Sequence, residues 1–454
     1  MDSKQQRSVK TTVANSNPRQ NAVTRDPQMG HGVFHWYYAA AAFLVLQAMQ
    51  IFEFVDRLVY GEWANKGGDK ITQMLNLLMI AASLFLFARG FRKTRGIGTG
   101  GILSIAAVGF LLLSTLWSID ASTTSRRSVV YLFFVIGMIG MAGNMDGEEF
   151  IDLLGRLCFL SAVVSLLLRV ASPDNALMPE GELRGVFGHK NLLGAVMAAG
   201  TLASLHGLRG HRGRRMYKLV MLITFIIVCM LSKSGTSLLM IFVMCYISGV
   251  VILWRKNNAG RLTSVLLLII LVPSVAIAGL DPDPILEMMG KDPTLTGRTE
   301  IWPYVIDAIS QRPMLGWGFS GFWSPDNPAA VEINDATRLN LPDAQNGLLQ
   351  MLVDVGIVGT SIFFVLWARN AMFALRCIYT PANELAVSSL ICFGLIILYG
   401  VSEPVLQPLQ ISTCMFFVFG FMCERATRVA HPGRYSQGNL PARSPNKARS
   451  SAIP

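Results

Sequence analysis

Apolar residues in this chain gather into long, nearly unbroken runs separated by short polar stretches. A hydrocarbon core ~30 Å thick is crossed by about 20 residues of helix. Runs approaching that length lie near 36–55, 71–90, 101–119, 128–143, 151–170, 191–207, 217–231, 235–254, 262–280, 348–367, 386–402 and 409–424. About twelve such runs predict an all-α, polytopic membrane bundle spanning 36–424. Residues 1–35 and 425–454 are polar, rich in Ser, Asn, Pro and Arg, and read as disordered basic tails. Two longer polar segments interrupt the runs, near 171–190 and 281–347. A connection as long as the second is usually functional or a small domain in itself. Within it, Thr299 can cap a helix whose Ile301, Val305 and Ile309 share one face, with Pro303 near the first turn. That helix is expected to lie on the membrane surface over the bundle.

Composition agrees and excludes other classes. The AVILMFWYC set makes up 52%, 41 glycines add to it, and charged residues are 15%, against roughly 45–50% apolar and 25% charged in an average soluble chain. A soluble enzyme, a disordered polar chain and a disulfide-stapled domain are all ruled out. The net charge of +11 points to nucleic acid only until the charges are located. About two-thirds of the 39 basic residues fall in the tails and in the loops around 89–95, 209–218, 255–261 and 369–376. This bias puts both termini on the cytoplasmic side and calls for no nucleic-acid partner. The acidic turn at 144–150 falls on the same side, although acidic residues carry little weight in the rule. Seven cysteines without a CxxC pair read as small core hydrophobes. The first apolar run follows a long polar arm, so no cleavable signal peptide is expected.

Candidate chemistry lies in the external remainder. Arg184-Gly-Val-Phe-Gly-His189-Lys190-Asn191 bunches cationic and amide donors at glycine bends just before a span. It fits an interfacial anchor, or a site for an anionic group such as a lipid diphosphate, which arginine binds bidentately. Arg298-Thr-Glu300 and Arg312-Pro-Met-Leu-Gly-Trp317-Gly-Phe-Ser-Gly-Phe-Trp323 form a second cluster. Its aromatics suit either sugar stacking or the interfacial belt. A third, Asp343-Ala-Gln345-Asn346-Gly347, opens the next span with groups able to orient a hydroxyl. No Walker A loop, HExxH, GxSxG, zinc-type CxxC or external DxD is present. The expected reaction therefore uses an activated donor, with no metal and no cofactor.

In order along the chain, Trp117-Ser-Ile-Asp120 with Arg126-Arg127, Gly185-Val-Phe-Gly-His-Lys-Asn191-Leu-Leu-Gly194, Leu231-Ser-Lys-Ser-Gly-Thr236-Ser, Gly297-Arg-Thr-Glu-Ile-Trp302, Arg312 to Phe319, and Gln345-Asn-Gly347 leading into Gly356-Ile-Val-Gly359 resemble the O-antigen ligase/polymerase superfamily. The likeness is strongest to its exopolysaccharide polymerase branch, with a core at about 180–370. The resemblance implies a bacterial inner-membrane enzyme whose active site faces the periplasm. Such an enzyme transfers a glycan from an undecaprenyl-diphosphate carrier to an acceptor hydroxyl. It implies Arg184 and Arg298 on the diphosphate, with Lys190, Asn191, Arg312, Trp317 and Asn346 around the substrate. A chain-length regulator and export machinery are partners of the kind it suggests.

One position departs from the family pattern. Gln345 stands where family members commonly carry the histidine that activates the acceptor, and an amide takes up no proton near neutral pH. The resemblance leaves that role to His189, Asp343 or Glu300, or leaves the rate to the arginines and to positioning. Ligation to lipid A-core is the alternative within the enzyme class. A transporter or flippase is the rival outside it, disfavoured because polar residues within spans are few (Glu53, Arg156, Asp354) and transporters place their sites near the midplane.

Overall fold

The computed structural model describes residues 36–60, 70–94, 96–210, 215–267, 298–337 and 341–431, with backbone alone at 56, 59, 60, 210 and 298–300. The helices are α1 (Trp36–Ala48), α2 (Glu53–Tyr60), α3 (Lys70–Thr94), α4 (Thr99–Leu113), α5 (Ala121–Asn144), α6 (Gly147–Ala171), α7 (Pro173–Ala176), α8 (Lys190–Gly210), α9 (Arg215–Ser232) and α10 (Gly235–Trp254). They continue with α11 (Arg298–Gln311), α12 (Pro328–Thr337), α13 (Gly347–Cys377), α14 (Asn383–Gly400) and α15 (Ile411–Ala430); residues 258–267 are helical too. Among the described residues the only β pairing is a single bridge, Leu177 with Leu183. Nine of these helices are long and apolar enough to cross a bilayer, so the protein is an all-α polytopic membrane bundle. All seven cysteines are free, and six of them are buried.

Packing follows membrane rules, in which small residues let backbones approach. Along α3 and α5, a Cβ at Gly140 would lie 2.4 Å from the Phe87 backbone nitrogen. One end of the bundle gathers the charges. There Lys218 meets Asp152 at 2.6 Å, Arg209 meets Glu384 at 3.4 Å, and Glu424 sits between Arg369 and Arg428 at 2.5 Å from each. The acidic 144–150 turn is at this end as well, its backbone carbonyls taking hydrogen bonds from Lys93 and Arg425. The basic residues that charge bias puts on one side of the membrane thus converge at one end of the helices. The start of α8 lies at the other.

Three elements differ from the sequence expectation. The run 36–55 is not one span: α1 stops at Ala48, and α2 begins at Glu53. Gln50 takes the left-handed conformation (φ 56°), Gln50 N–H donates to the Gln47 carbonyl at 2.9 Å, and Ile51 N–H reaches back to Leu46 at 3.4 Å. This is a Schellman stop without its usual glycine. Second, α11 begins at Arg298, so Thr299 is inside the helix and is not its cap. Third, the apolar face of α11 is not laid on a lipid surface. Ile301, Val305 and Ala308 pack with Trp317, Phe322, Ala330, Ile333, Ala344 and Val353 in a small second core.

That second core is tied to the bundle through a break in α13. Gly356 adopts φ 62°, ψ −169° within the helix, a region essentially confined to glycine. The break frees backbone groups on both sides, which in a bilayer need protein partners. The 313–318 segment supplies them. Pro313 and Met314 carbonyls accept from Ile357 and Val358 N–H at 2.9 and 3.1 Å, and Trp317 and Gly318 N–H donate to Val353 and Asp354 carbonyls at 2.9 Å each. The Gly-Trp-Gly and Gly356 motifs are therefore two halves of one joint.

Candidate functional site

At the end of the bundle opposite Lys218, Arg209 and Glu424, a cavity of about 580 Å³ opens between the turn after α1, the start of α8, the end of α14, the start of α15 and residues 341–345. Its mouth is polar, with Glu53, His189, Asn191, Asp343, Gln345 and Glu403. Its depth is apolar. Leu192, Ala195, Ala199 and Leu202 line one face of α8 and are met by Met240 and Met244 of α10 and by Leu395, Ile396 and Met415. The ten helical steps from Leu192 to Leu202 correspond to about 15 Å at 1.5 Å per residue.

The mouth is built by two loops. In the first, Gly185 has φ 59°, and a Cβ there would strike the Ser165 hydroxyl at 2.2 Å. The same hydroxyl accepts Val186 N–H at 3.3 Å, and Arg57 of α2 donates to the Phe187 and Gly185 carbonyls at 3.0 and 3.2 Å. His189 Nδ1 accepts the Asn191 N–H at 3.2 Å, which puts the proton of the neutral ring on Nε2. Asn191 Nδ2 donates to Glu403 Oε1 at 2.7 Å. Lys190 turns away to Glu182 at 2.8 Å, and its ammonium holds the Glu182 carboxyl below its usual range.

In the second loop, Asp343 Oδ1 accepts Gln345 N–H at 2.9 Å and Gln345 stands at φ 52°. Asn346 caps α13, its Oδ1 accepting Leu348 and Leu349 N–H at 3.0 Å each, while its Nδ2 donates to the Val401 carbonyl at 3.0 Å. Behind the loop, Gln350 Oε1 accepts Ala344 N–H at 2.8 Å and Trp323 Nε1–H at 3.1 Å, and Gln350 Nε2 donates to Asp354 Oδ2 at 2.9 Å.

Of the residues singled out in the sequence, the cavity brings together His189, Asn191, Asp343 and Gln345, which are about 150 positions apart in the chain. Asn346 and Lys190 flank it. Arg184 is 8% exposed, reaches the Asp174 carbonyl at 3.5 Å and is not part of the cavity wall. Trp317 is in the second core with its N–H on the Ala308 carbonyl. Phe322 covers it edge-on, and the Arg312 guanidinium lies 4.2 Å from its ring centre. Arg298 and Glu300 open α11, and their side chains lie outside the described residues. Among the described wall residues, His189 is the one side chain able to carry positive charge. Sequence reasoning missed Glu403, which falls in the short gap between two apolar runs, and Gln410, at the start of the second run, neither with a motif around it. Glu53 stood out only as a polar residue within a predicted span.

Fold and cavity together give a bundle of apolar helices holding a cavity with a polar mouth and an apolar depth. Residues 219–364 match the family model described as O-antigen ligase, Wzy_C, a stretch that includes the second core, Asp343 to Gly347 and the Gly356 joint. Eighty residues, 17% of this chain, are 30% identical to the exopolysaccharide production protein ExoQ of Rhizobium meliloti (strain 1021), and cover 18% of it. The chain thus matches under a fifth of that relative's length. The two findings support placing the chain in the O-antigen ligase/polymerase family, as its ordered motifs do.

Proposed function

We propose that this protein polymerises a bacterial surface or exopolysaccharide, transferring a glycan from an undecaprenyl-diphosphate carrier to a hydroxyl of another carrier-linked repeat unit on the periplasmic face of the inner membrane. The observation that carries the proposal is the shape of the cavity. A polar mouth continuous with an apolar shaft suits a donor whose sugar and lipid are joined by a diphosphate. Carboxylates and amides at the mouth, Glu53, Asn191, Asp343, Gln345 and Glu403, are groups that bind and orient sugar hydroxyls.

In the reaction, the acceptor oxygen bonds to the donor's anomeric carbon as the bond from that carbon to the phosphate oxygen breaks. The electron pair leaves on the diphosphate. A good leaving group of this kind needs no general acid, and the charge growing on it is what cations at the mouth stabilise. Arg298 is the first candidate for that role and Arg184, set back from the wall, the second. The basic end of the bundle is assigned to the cytoplasm on charge bias.

Deletion of the gene tests the reading. Loss of high-molecular-weight polymer with accumulation of carrier-linked single repeats is the expected result. Loss of only the capped form of lipopolysaccharide means ligation to lipid A-core, the alternative that the name of the matched family favours. Unchanged surface glycans contradict both.

A further inference from the structure

We propose that Glu403 is the base that takes the proton of the acceptor hydroxyl, the function that Gln345 cannot perform; the assignment rests on the transferase reading above. Glu403 bridges the two motifs that line the mouth. Its backbone is held against the start of α13: its carbonyl lies 3.1 Å from where a Cβ of Gly347 would stand, and the Val401 carbonyl two residues earlier accepts from Asn346. Its own N–H is bound to the Tyr399 carbonyl at 3.0 Å, and the neighbouring Ser402 hydroxyl meets Thr236 at 3.0 Å. From that fixed backbone the carboxylate extends across the mouth to Asn191 Nδ2 at 2.7 Å. A carboxylate located by an amide donor, on the wall of the cavity that Gln345 also lines, has the placement a general base requires.

The other titratable groups of the wall are Glu53, His189, Asp343, Cys392 and Tyr399, and the first three are less suited. His189 has its Nδ1 lone pair on the Asn191 N–H and presents a donor. Asp343 uses Oδ1 to hold the strained Gln345 backbone. The Glu53 carboxylate is packed over Gly188, where a Cβ would lie 2.5 Å from its Oε2. In the step itself the acceptor O–H bond breaks, its proton passes to Glu403, and the oxygen attacks the anomeric carbon with departure of the polyprenyl diphosphate. Glu403 then returns the proton to water. A single displacement of this kind inverts the anomeric configuration.

The test is elongation of carrier-linked repeat units by the purified full chain across a pH series. Glu403→Gln is expected to lower kcat by about 10² to 10⁴, the usual share of a general base, with KM within about threefold. The acid limb of the rate profile, where activity rises as the base loses its proton, is expected to vanish in this variant. It is expected to persist in Glu53→Gln and Asp343→Asn, whatever their turnover. Glu403→Asp keeps a carboxylate and is expected to keep the limb at reduced rate; it carries the test if Glu403→Gln protein is not recovered. Turnover of Glu403→Gln within about threefold of the parent, or an acid limb that survives in it or is lost in Glu403→Asp, overturns the assignment. A parent protein that elongates nothing removes the transferase reading itself, an outcome distinct from a parent and Glu403→Gln that elongate equally.

Discussion

Ala195→Trp is expected to reduce elongation of full-length carrier substrates by at least about 100-fold while leaving the mouth intact. Ala195 is half-buried on the α8 face of the shaft, in line with Ala199 and Leu202 and below Asn191. An indole there occupies the space proposed for the carrier's first isoprene units. Excluding five methylenes from an apolar site forgoes about 4 kcal/mol at ~0.8 kcal/mol each, a factor near 10³ in binding. Binding energy from a remote, unreactive part of a substrate also serves to position its reacting end, so kcat is expected to fall along with kcat/KM. Donors with a shortened lipid reach less far down the shaft and are expected to lose much less. Overpacking of the bundle is the competing explanation, at about 1–3 kcal/mol, and an unfolding midpoint in detergent close to the parent's sets it aside. Equal rates for parent and variant on the full-length carrier contradict a lipid-filled shaft.

Gln350→Leu is expected to have the largest effect on stability. One side-chain amide satisfies three partners: the Ala344 N–H, the Trp323 indole N–H and Asp354 Oδ2. Gln350 and Ala344 are buried, and Asp354 is 1% exposed. Leucine matches the bulk but leaves two donors and a carboxyl oxygen stranded, at about 1–3 kcal/mol for each unsatisfied group. The sum approaches the ~5–15 kcal/mol that holds an ordinary fold. Because the Ala344 N–H is part of the Asp343 to Asn346 loop, that wall of the cavity loosens with it. Failure to accumulate in the membrane, or a large drop in unfolding midpoint, is the expected result. A midpoint within about 2 °C of the parent's contradicts this account of the loop. Leu348→Ala, two residues away at a 46% exposed position, is the comparison and is expected to move the midpoint little.

The fold class was legible because a bilayer leaves few ways to satisfy backbone polar groups, and apolar runs of span length report that constraint directly. The break after Ala48 was not. Its left-handed residue is a glutamine, so the glycine that normally marks a helix stop is missing, and hydropathy runs smoothly through it. The burial of Trp317, Phe319 and Phe322 was hidden for a different reason. An interfacial belt, a sugar platform and a small core use the same residue types, and only the α13 joint shows that 313–318 is drawn inward. Within the site, His189, Asn191, Asp343 and Gln345 were found by motif, and their convergence confirms only that they share a cavity. Glu403 was out of reach because a single carboxylate between two apolar runs has no local signature. Its significance comes from contacts with residues 191 and 347, distant in sequence. Arg184 shows the converse, since its cluster of neighbours in sequence does not put its side chain on the wall.

On the proposed reading this chain joins carrier-linked glycans at a membrane site, and reconstitution puts that joining to the test. Purified protein in liposomes, supplied only with polyprenyl-diphosphate-linked repeat units, is expected to yield carrier-linked products of two, three and more repeats, with one polyprenyl diphosphate released for each linkage formed. Repeat units that remain single, whether left in place or carried unaltered to the other leaflet, contradict it.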